Sequence, residues 1–194
     1  ACVDGWFTLP LAIPNYLAGL AGQPLLDVDA PEATEALGDV RGRIDHLVNN
    51  PGHTRPATFH RRLGEILYTG CGVSRSEAGL TRALEQVQEL REEFWRDVRV
   101  TGTDDRLNQE LEKAGRVADF LELAELMITD ALDRQESCGA HFREEYALPD
   151  GEAKRDDKRW CNVSAWETNP AGQHRRYQEP LRFESVKLQV RNYR

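Results

Sequence analysis

A chain of 194 residues, 40% hydrophobic and 30% charged, can bury one substantial core, or a core and a smaller appendage, without disulfide or metal staples. Its formal net charge of -8 repels a phosphate backbone, and no apolar run approaches the roughly 20 residues a membrane helix needs, which disfavours nucleic-acid binding and a transmembrane helix. Cys2, Cys71, Cys138 and Cys161 lie far apart with no C-x-x-C pair, so free thiols are a simpler reading than a zinc knuckle or a disulfide framework.

From residue 1 to about residue 26 the chain is apolar and interrupted by Pro10, Pro14 and Pro24, which predicts short helical turns joined by loops in place of one long helix. The opening ACVDGWFTLPLAIP has no initiator Met and no basic stretch ahead of its apolar residues. It does not fit a signal peptide and reads as the continuation of a longer protein, with residues 7–20 packed against something upstream. In DVDAPEATEAL, the residues Asp29, Pro31 and Glu32 predict a helix start, with the helix running to about Val48 and the breakers NNPGHTRP forming a loop after it. TFHRRLGEILYTG then places Phe59, Leu63, Ile66 and Leu67 on one face of a short helix that Gly70 can end.

Ser74 and Glu77 predict a capping box, and Leu80, Leu84, Val87, Leu90 and Phe94 recur behind it at helical spacing. A further helix is predicted from about Leu107 to Gln135. Its second half, VADFLELAELMITDAL, is apolar on most sides, the pattern of a rod surrounded by other elements, where Leu121→Ala or Leu126→Ala is expected to cost ~2–5 kcal/mol. After Gly139 the pattern alternates. Trp160, Asn162, Ser164 and Trp166 predict one strand, and Phe183, Val186, Leu188 and Val190 a second, with TNPAGQ turning between them. The predicted fold is mainly α, a helical bundle of about three main helices followed by a small C-terminal α+β segment with short strands, divided at 1–26, 27–136 and 137–194.

The densest chemistry stands in RQESCGAHFREEY, residues 134–146. His141 beside Glu144 and Glu145 has the makings of an acid–base group, yet no serine or reactive cysteine stands at a convincing spacing as nucleophile. A hydrogen-bonded structural His is the simpler reading. Cys138, His141 and Glu145 offer a C-x-x-H-x-x-x-E set of ligands, but the second half of a paired metal pattern is missing. His46, His53, His60 and His174 are isolated. The run DGEAKRDDKRW is either a solvated loop or a set of Arg–carboxylate pairs, Arg155 among them, that pins the loop to another domain. Neither a G-x-G-x-x-G nor a Walker pattern occurs. These residues describe a domain without a self-contained active site, and no catalytic, cofactor-binding or metal-ligating residue is assigned.

Four segments, CGVSRSEAGLTRALEQVQELREEFW, LNQELEKAGRVADFLELAELMITDALDRQESCGAHFREEY, GEAKRDD and EPLRFESVKLQVRNYR, resemble in order and spacing the C-terminal part of the flavoprotein subunit of succinate dehydrogenase or fumarate reductase. The resemblance runs from about residue 59 to the end. ESCGAHFREEY followed by GEAKRDD is similar to the menaquinone-linked branch of many actinobacteria and Bacteroidetes, other members carrying Arg in place of Cys138.

The resemblance implies a helical domain, then a small C-terminal domain, and sets ACVDGWFTLPLAIPNYLAG at the helix that closes the FAD domain. The intact subunit would move a hydride between succinate and FAD and pass electrons to an iron–sulfur subunit and membrane anchor. That implies a cytoplasmic subunit, peripheral at the inner face of the cell membrane. FAD is held by an N-terminal dinucleotide fold, and the arginines and histidines that bind the dicarboxylate lie ahead of residue 1. No catalytic residue therefore carries over, and this portion alone is expected to bind no FAD and to be inactive. On this view Arg134, Glu136, Gly139, His141, Arg143, Glu145 and Arg155 are structural and interface residues, clamping the helical domain to the FAD domain or to the partner subunit. The competing readings are a stand-alone protein-interaction module with the same fold and a small metal-dependent hydrolase built on His141.

Overall fold

The computed structural model describes residues 4–24, 27–103, 105–169 and 173–189, in two units, 1–43 and 44–194. In the first, a π-helical turn (Asp4–Thr8), helix α1 (Leu9–Leu17) and a 3-10 turn (Ala18–Leu20) follow one another without a loop. This corrects the expectation of loop-joined turns. Pro14 lies inside α1, where it removes one backbone donor. No residue of α1 is buried.

Helix α2 (Pro31–Asn49) begins at the predicted Pro31–Glu32 start, and Leu47 is its buried residue. In its last turn the ring of His46 bonds the Trp95 carbonyl at 2.9 Å through Nε2. The predicted loop follows, its His53 and Thr54 amides donating to the Asp97 carbonyl.

Helices α3 (Pro56–Gly70), α4 (Glu77–Asp97) and α5 (Gln109–Asp133), with the two-residue strand β1 (Ser74–Arg75) after α3, enclose the core of the second unit. Phe59 and Leu63 of α3 meet Leu80, Val87, Leu90 and Phe94 of α4, and Val117, Leu121 and Ile128 of α5, recurring at the spacing that gives each helix one apolar face. Phe59 and Phe94 meet edge to face at 5.3 Å, a geometry worth about 0.5–1.5 kcal/mol beyond burial. Gly70 brings α3 and α4 together, since a Cβ there would stand 2.6 Å from the Ala83 Cβ.

Two expectations are corrected in these helices. The cap of α4 is Ser76, whose Oγ accepts from the Gly79 N–H at 3.2 Å. Ser74 lies in β1 and donates to Glu144 at 2.7 Å. The Glu77 side chain is not needed as a capping-box partner, because the Ser76 backbone enters from an extended strand and leaves α4's first N–H to a distant acceptor. Nor is α5 surrounded. Alanines 114, 118, 124 and 131 line its inner face, while Leu123 and Met127 stay about half exposed on the outer one. Its apolar character all round therefore does not report burial all round.

Beyond α5 come strand β2 (Phe142–Arg143), a 3-10 turn (Glu144–Tyr146), the short helix α6 (Asp157–Trp160) and the hairpin of β3 (Asn162–Thr168) and β4 (His174–Pro180). β2 pairs in parallel with β1, and β3 with β4 in an unbroken antiparallel register from Asn162↔Pro180 to Thr168↔His174. The first strand stands where predicted, and residues 170–172 of the predicted turn lie outside the described residues. The second strand is HRRYQEP, since residues 181–189 form no strand and Val190 lies outside the described residues. HRRYQEP lacks apolar alternation because its half-buried side chains are polar: Arg176 pairs with Asp133 of α5 beside the Trp160 ring and His174 meets Thr168, while across the hairpin Trp166 donates to Asp130 at 2.7 Å.

Candidate functional site

The segment 134–146 closes the ends of two helices. A helix leaves its last carbonyls and its first amides without partners, and the C-terminal end of α5 and the N-terminal end of α4 meet at β1–β2. Arg143, on β2, is 1% exposed. Its Nη1 donates to the Ala131 and Leu132 carbonyls of α5 at 2.9 and 3.2 Å, and its Nε to Glu145 at 3.1 Å. The other oxygen of Glu145 accepts from the Glu77 N–H, the first amide of α4, at 2.6 Å. A cation thus sits on the negative end of one helix dipole and an anion on the positive end of the other, each sign favourable, and the two are paired with each other. Burial pushes the Glu145 carboxyl up, but the bonds from Glu77 and Arg143 outweigh it and hold it below its ordinary value.

Ser137, fully buried, fixes the backbone of Arg143 from both sides. Its Oγ accepts from the Arg143 N–H at 2.8 Å and donates to the Arg143 carbonyl at 3.1 Å. Between them the chain reverses in two residues, with Cys138 and His141 exchanging backbone bonds at 2.8 and 3.1 Å. Gly139 turns at φ +60, a left-handed conformation that a side chain resists.

His141 is held by Arg75 of β1, whose Nη1 stands 2.9 Å from Nδ1, and by the Arg134 carbonyl, 2.9 Å from Nε2. A guanidinium has no lone pair to offer. Nδ1 is therefore the acceptor, Nε2 carries the proton, and the ring is neutral. Burial and then the charges of Arg75, Arg134 and Arg143 push its pKa below the ordinary value, against the opposing bond to the Arg134 carbonyl. With both nitrogens engaged inside the protein, His141 has no lone pair for a substrate or a metal. Cys138, His141 and Glu145 do not converge on a common point, because Glu145 faces Arg143 and the start of α4.

Glu136, 2% exposed, accepts from Arg134 at 2.9 and 2.5 Å and, with its other oxygen, from the Asp156 amide at 2.8 Å. Arg155 forks onto Asp157 at 3.0 and 2.6 Å and donates to the Gln189 carbonyl. The structure thus joins Arg134, Glu136, His141, Arg143 and Glu145 in one network around the Gly139 turn, with Arg155 in a neighbouring link toward the C-terminal tail. Ser137 and Arg75 belong to it and were not read as candidates from the sequence, and Glu77, read there as a capping-box residue of α4, joins it through its backbone N–H. Only the position of Ser137 between charged residues and the turn hinted at it; Arg75 gave no local sign, and the local sign at Glu77 pointed to a helix cap.

Residues 60–193 match the family model described as fumarate reductase flavoprotein C-term. The chain belongs to that family. Among curated relatives of this C-terminal family member, the fumarate reductase flavoprotein subunit of Proteus vulgaris is 29% identical over 77% of this chain and 23% of its own length. That of Escherichia coli is 34% identical over 61% of this chain and 19% of its own. In a solved quinol–fumarate reductase with menaquinol molecules, one chain superposes with a TM-score of 0.72 at 26% identity, over 91% of this chain and 29% of that one. The chain thus spans about a quarter of the length of the proteins it matches. Among the described residues, parallel pairing is confined to β1–β2 and one Thr54–Val98 bridge, with no strand feeding a glycine-rich turn.

Proposed function

We propose that this chain is the C-terminal helical and capping portion of a flavoprotein subunit that interconverts succinate and fumarate with FAD. The flavin and the reacting groups lie in other segments of that subunit. The observation that carries the reading is the family match over residues 60–193, joined to a junction whose polar groups are spent on one another. When bound, the flavin takes up or gives back the hydride. The residues of this chain keep the scaffold beside it rigid: Arg143 and Glu145 tie α5 to α4, Glu136 ties the end of α5 to Asp156, and Arg155 holds the tail.

We further infer that residues 1–26 belong with the flavin domain, 27–136 form the helical domain and 137–194 the small C-terminal one. Partners would be the flavin domain itself, an iron–sulfur subunit and a membrane anchor, toward which the charged junction residues would act as a clamp. Peripheral attachment at the inner face of the cell membrane follows from that assembly, and among the described residues no helix is long and apolar enough to cross a membrane. ESCGAHFREEY and GEAKRDD support the menaquinone-linked branch.

In the full-length subunit, Arg143→Ala is expected to lower the flavin retained per polypeptide and the yield of assembled complex. Flavin content and assembly at wild-type levels with turnover lost would instead put Arg143 in the chemistry and overturn the reading.

A further inference from the structure

We propose that His141 is an acid-sensitive wedge, whose protonation opens the β1–β2 latch and releases residues 138–146 from the start of α4. The proposal deepens the reading of this segment as a structural junction and rests on it.

The latch joins stretches far apart in the chain. β1 is paired with β2, Ser74 bonds Glu144, Glu145 takes the first amide of α4, and Arg75 reaches His141. The last contact exists in one protonation state. With Nε2–H committed to the Arg134 carbonyl, a second proton can enter only at Nδ1, where it meets a guanidinium N–H at 2.9 Å. Arg75 cannot yield, because it stays protonated at every relevant pH.

The Arg134 carbonyl favours an imidazolium, but burial and the charges around the ring oppose it. Arg75 faces the ring from β1, Arg134 from the end of α5 and Arg143 from β2, all cationic. Cys138 meets it across the turn through backbone bonds alone. The carboxylates of the segment are committed elsewhere, Glu136 to Arg134 and the Asp156 amide, Glu144 to Ser74, and Glu145 to Arg143 and Glu77. A protonated ring would stand among three guanidiniums, whereas in the opened segment it is hydrated. The open form therefore binds the proton better, and acid populates it. The sign follows: the latch is intact above the ordinary His pKa of about 6.5 and weakens as pH falls below it.

The test is native-state hydrogen exchange on this 194-residue chain, reported as protection factors so that the slower intrinsic exchange in acid is removed. The Glu77 amide, bonded to Glu145 across the junction, and the His141 and Arg143 amides, bonded to Cys138 and Ser137 within it, should keep constant protection from about pH 8 to 7. Below about pH 6.5 their protection should fall with a slope approaching tenfold per pH unit, one proton per opening, while the Leu121 and Ile128 amides of α5 hold theirs. His141→Gln keeps an acceptor for Arg75 and a donor for the Arg134 carbonyl without titrating, and should flatten the slope. Wild-type protection independent of pH, or a slope that survives His141→Gln, overturns the proposal. Should His141→Gln lose protection at neutral pH as well, the ring nitrogen shifts of the wild type decide: opening must coincide with protonation of Nδ1, and opening with the ring still neutral overturns it. Arg143→Ala separates the two readings. Loss of protection in this variant at every pH with a flat wild-type profile removes the wedge and leaves the junction, while unchanged protection in Arg143→Ala removes the junction itself.

Discussion

The α3–α4–α5 core and the junction after α5 are both buried, and they are held by opposite physics. The core is apolar side chains meeting side chains, an attraction roughly proportional to area and indifferent to direction. The junction buries Arg143, Glu136 and Ser137 at 1%, 2% and 0% exposure, and each is worth its burial only while its hydrogen bonds are all made. A core of the first kind degrades gradually when a side chain changes. A junction of the second kind fails at once when one partner is withdrawn, because the others remain buried and unpaired.

The largest expected effect is at Arg143. Removing it strands the Ala131 and Leu132 carbonyls and uncouples Glu145, so Arg143→Ala should cost about 2–5 kcal/mol in urea unfolding of the chain, at about 1–3 kcal/mol for each polar group left unpaired. Arg143→Lys should recover little of it, since an ammonium cannot reproduce the fork.

In the core, Leu121→Ala should cost about 2–5 kcal/mol, while Leu121→Met, of similar volume, should stay below about 1.5 kcal/mol. A lysine that rescued Arg143, or a methionine that failed at Leu121, would break the contrast. Leu126→Ala should cost less than Leu121→Ala, because Leu126 is only partly buried and borders an open cavity with Leu123 and Arg91; equal costs in the same denaturation series would refute the one-sided packing of α5. The smallest effect separates the two serines at the latch. Ser76→Ala removes the cap of α4 and should cost about 1 kcal/mol, and Ser74→Ala, which loses an exposed bond to Glu144, distinctly less; the reverse order would restore Ser74 as the cap.

Much of the fold was legible. The apolar faces of α3 and α4, the Pro31 start of α2 and the Gly70 end of α3 were read from spacing and breakers. The misses share a cause. The pattern pointed to Ser74 as the cap of α4, whereas Ser74 pairs in β1 and Ser76 caps, with Glu145 on the first amide of α4 from 68 residues away in sequence. HRRYQEP has no strand signature because its half-buried side chains are polar, Arg176 on Asp133 beside the Trp160 ring and His174 on Thr168. At the site, the residues within 134–146 stood out as a dense cluster, but Arg75, 66 residues from His141, could not be joined to it by pattern.

By itself the sequence determined the elements whose stabilising contacts are local: helices with a repeating apolar face, their breakers, and the reversal at Gly139, because i to i+4 bonds and backbone φ preferences depend on neighbours in the chain. The tertiary structure alone decided where each charge goes. Once Arg143 is buried it must find acceptors wherever the fold brings them, and the free carbonyls of α5 and the carboxylate that caps α4 came within reach only when the two helices had packed.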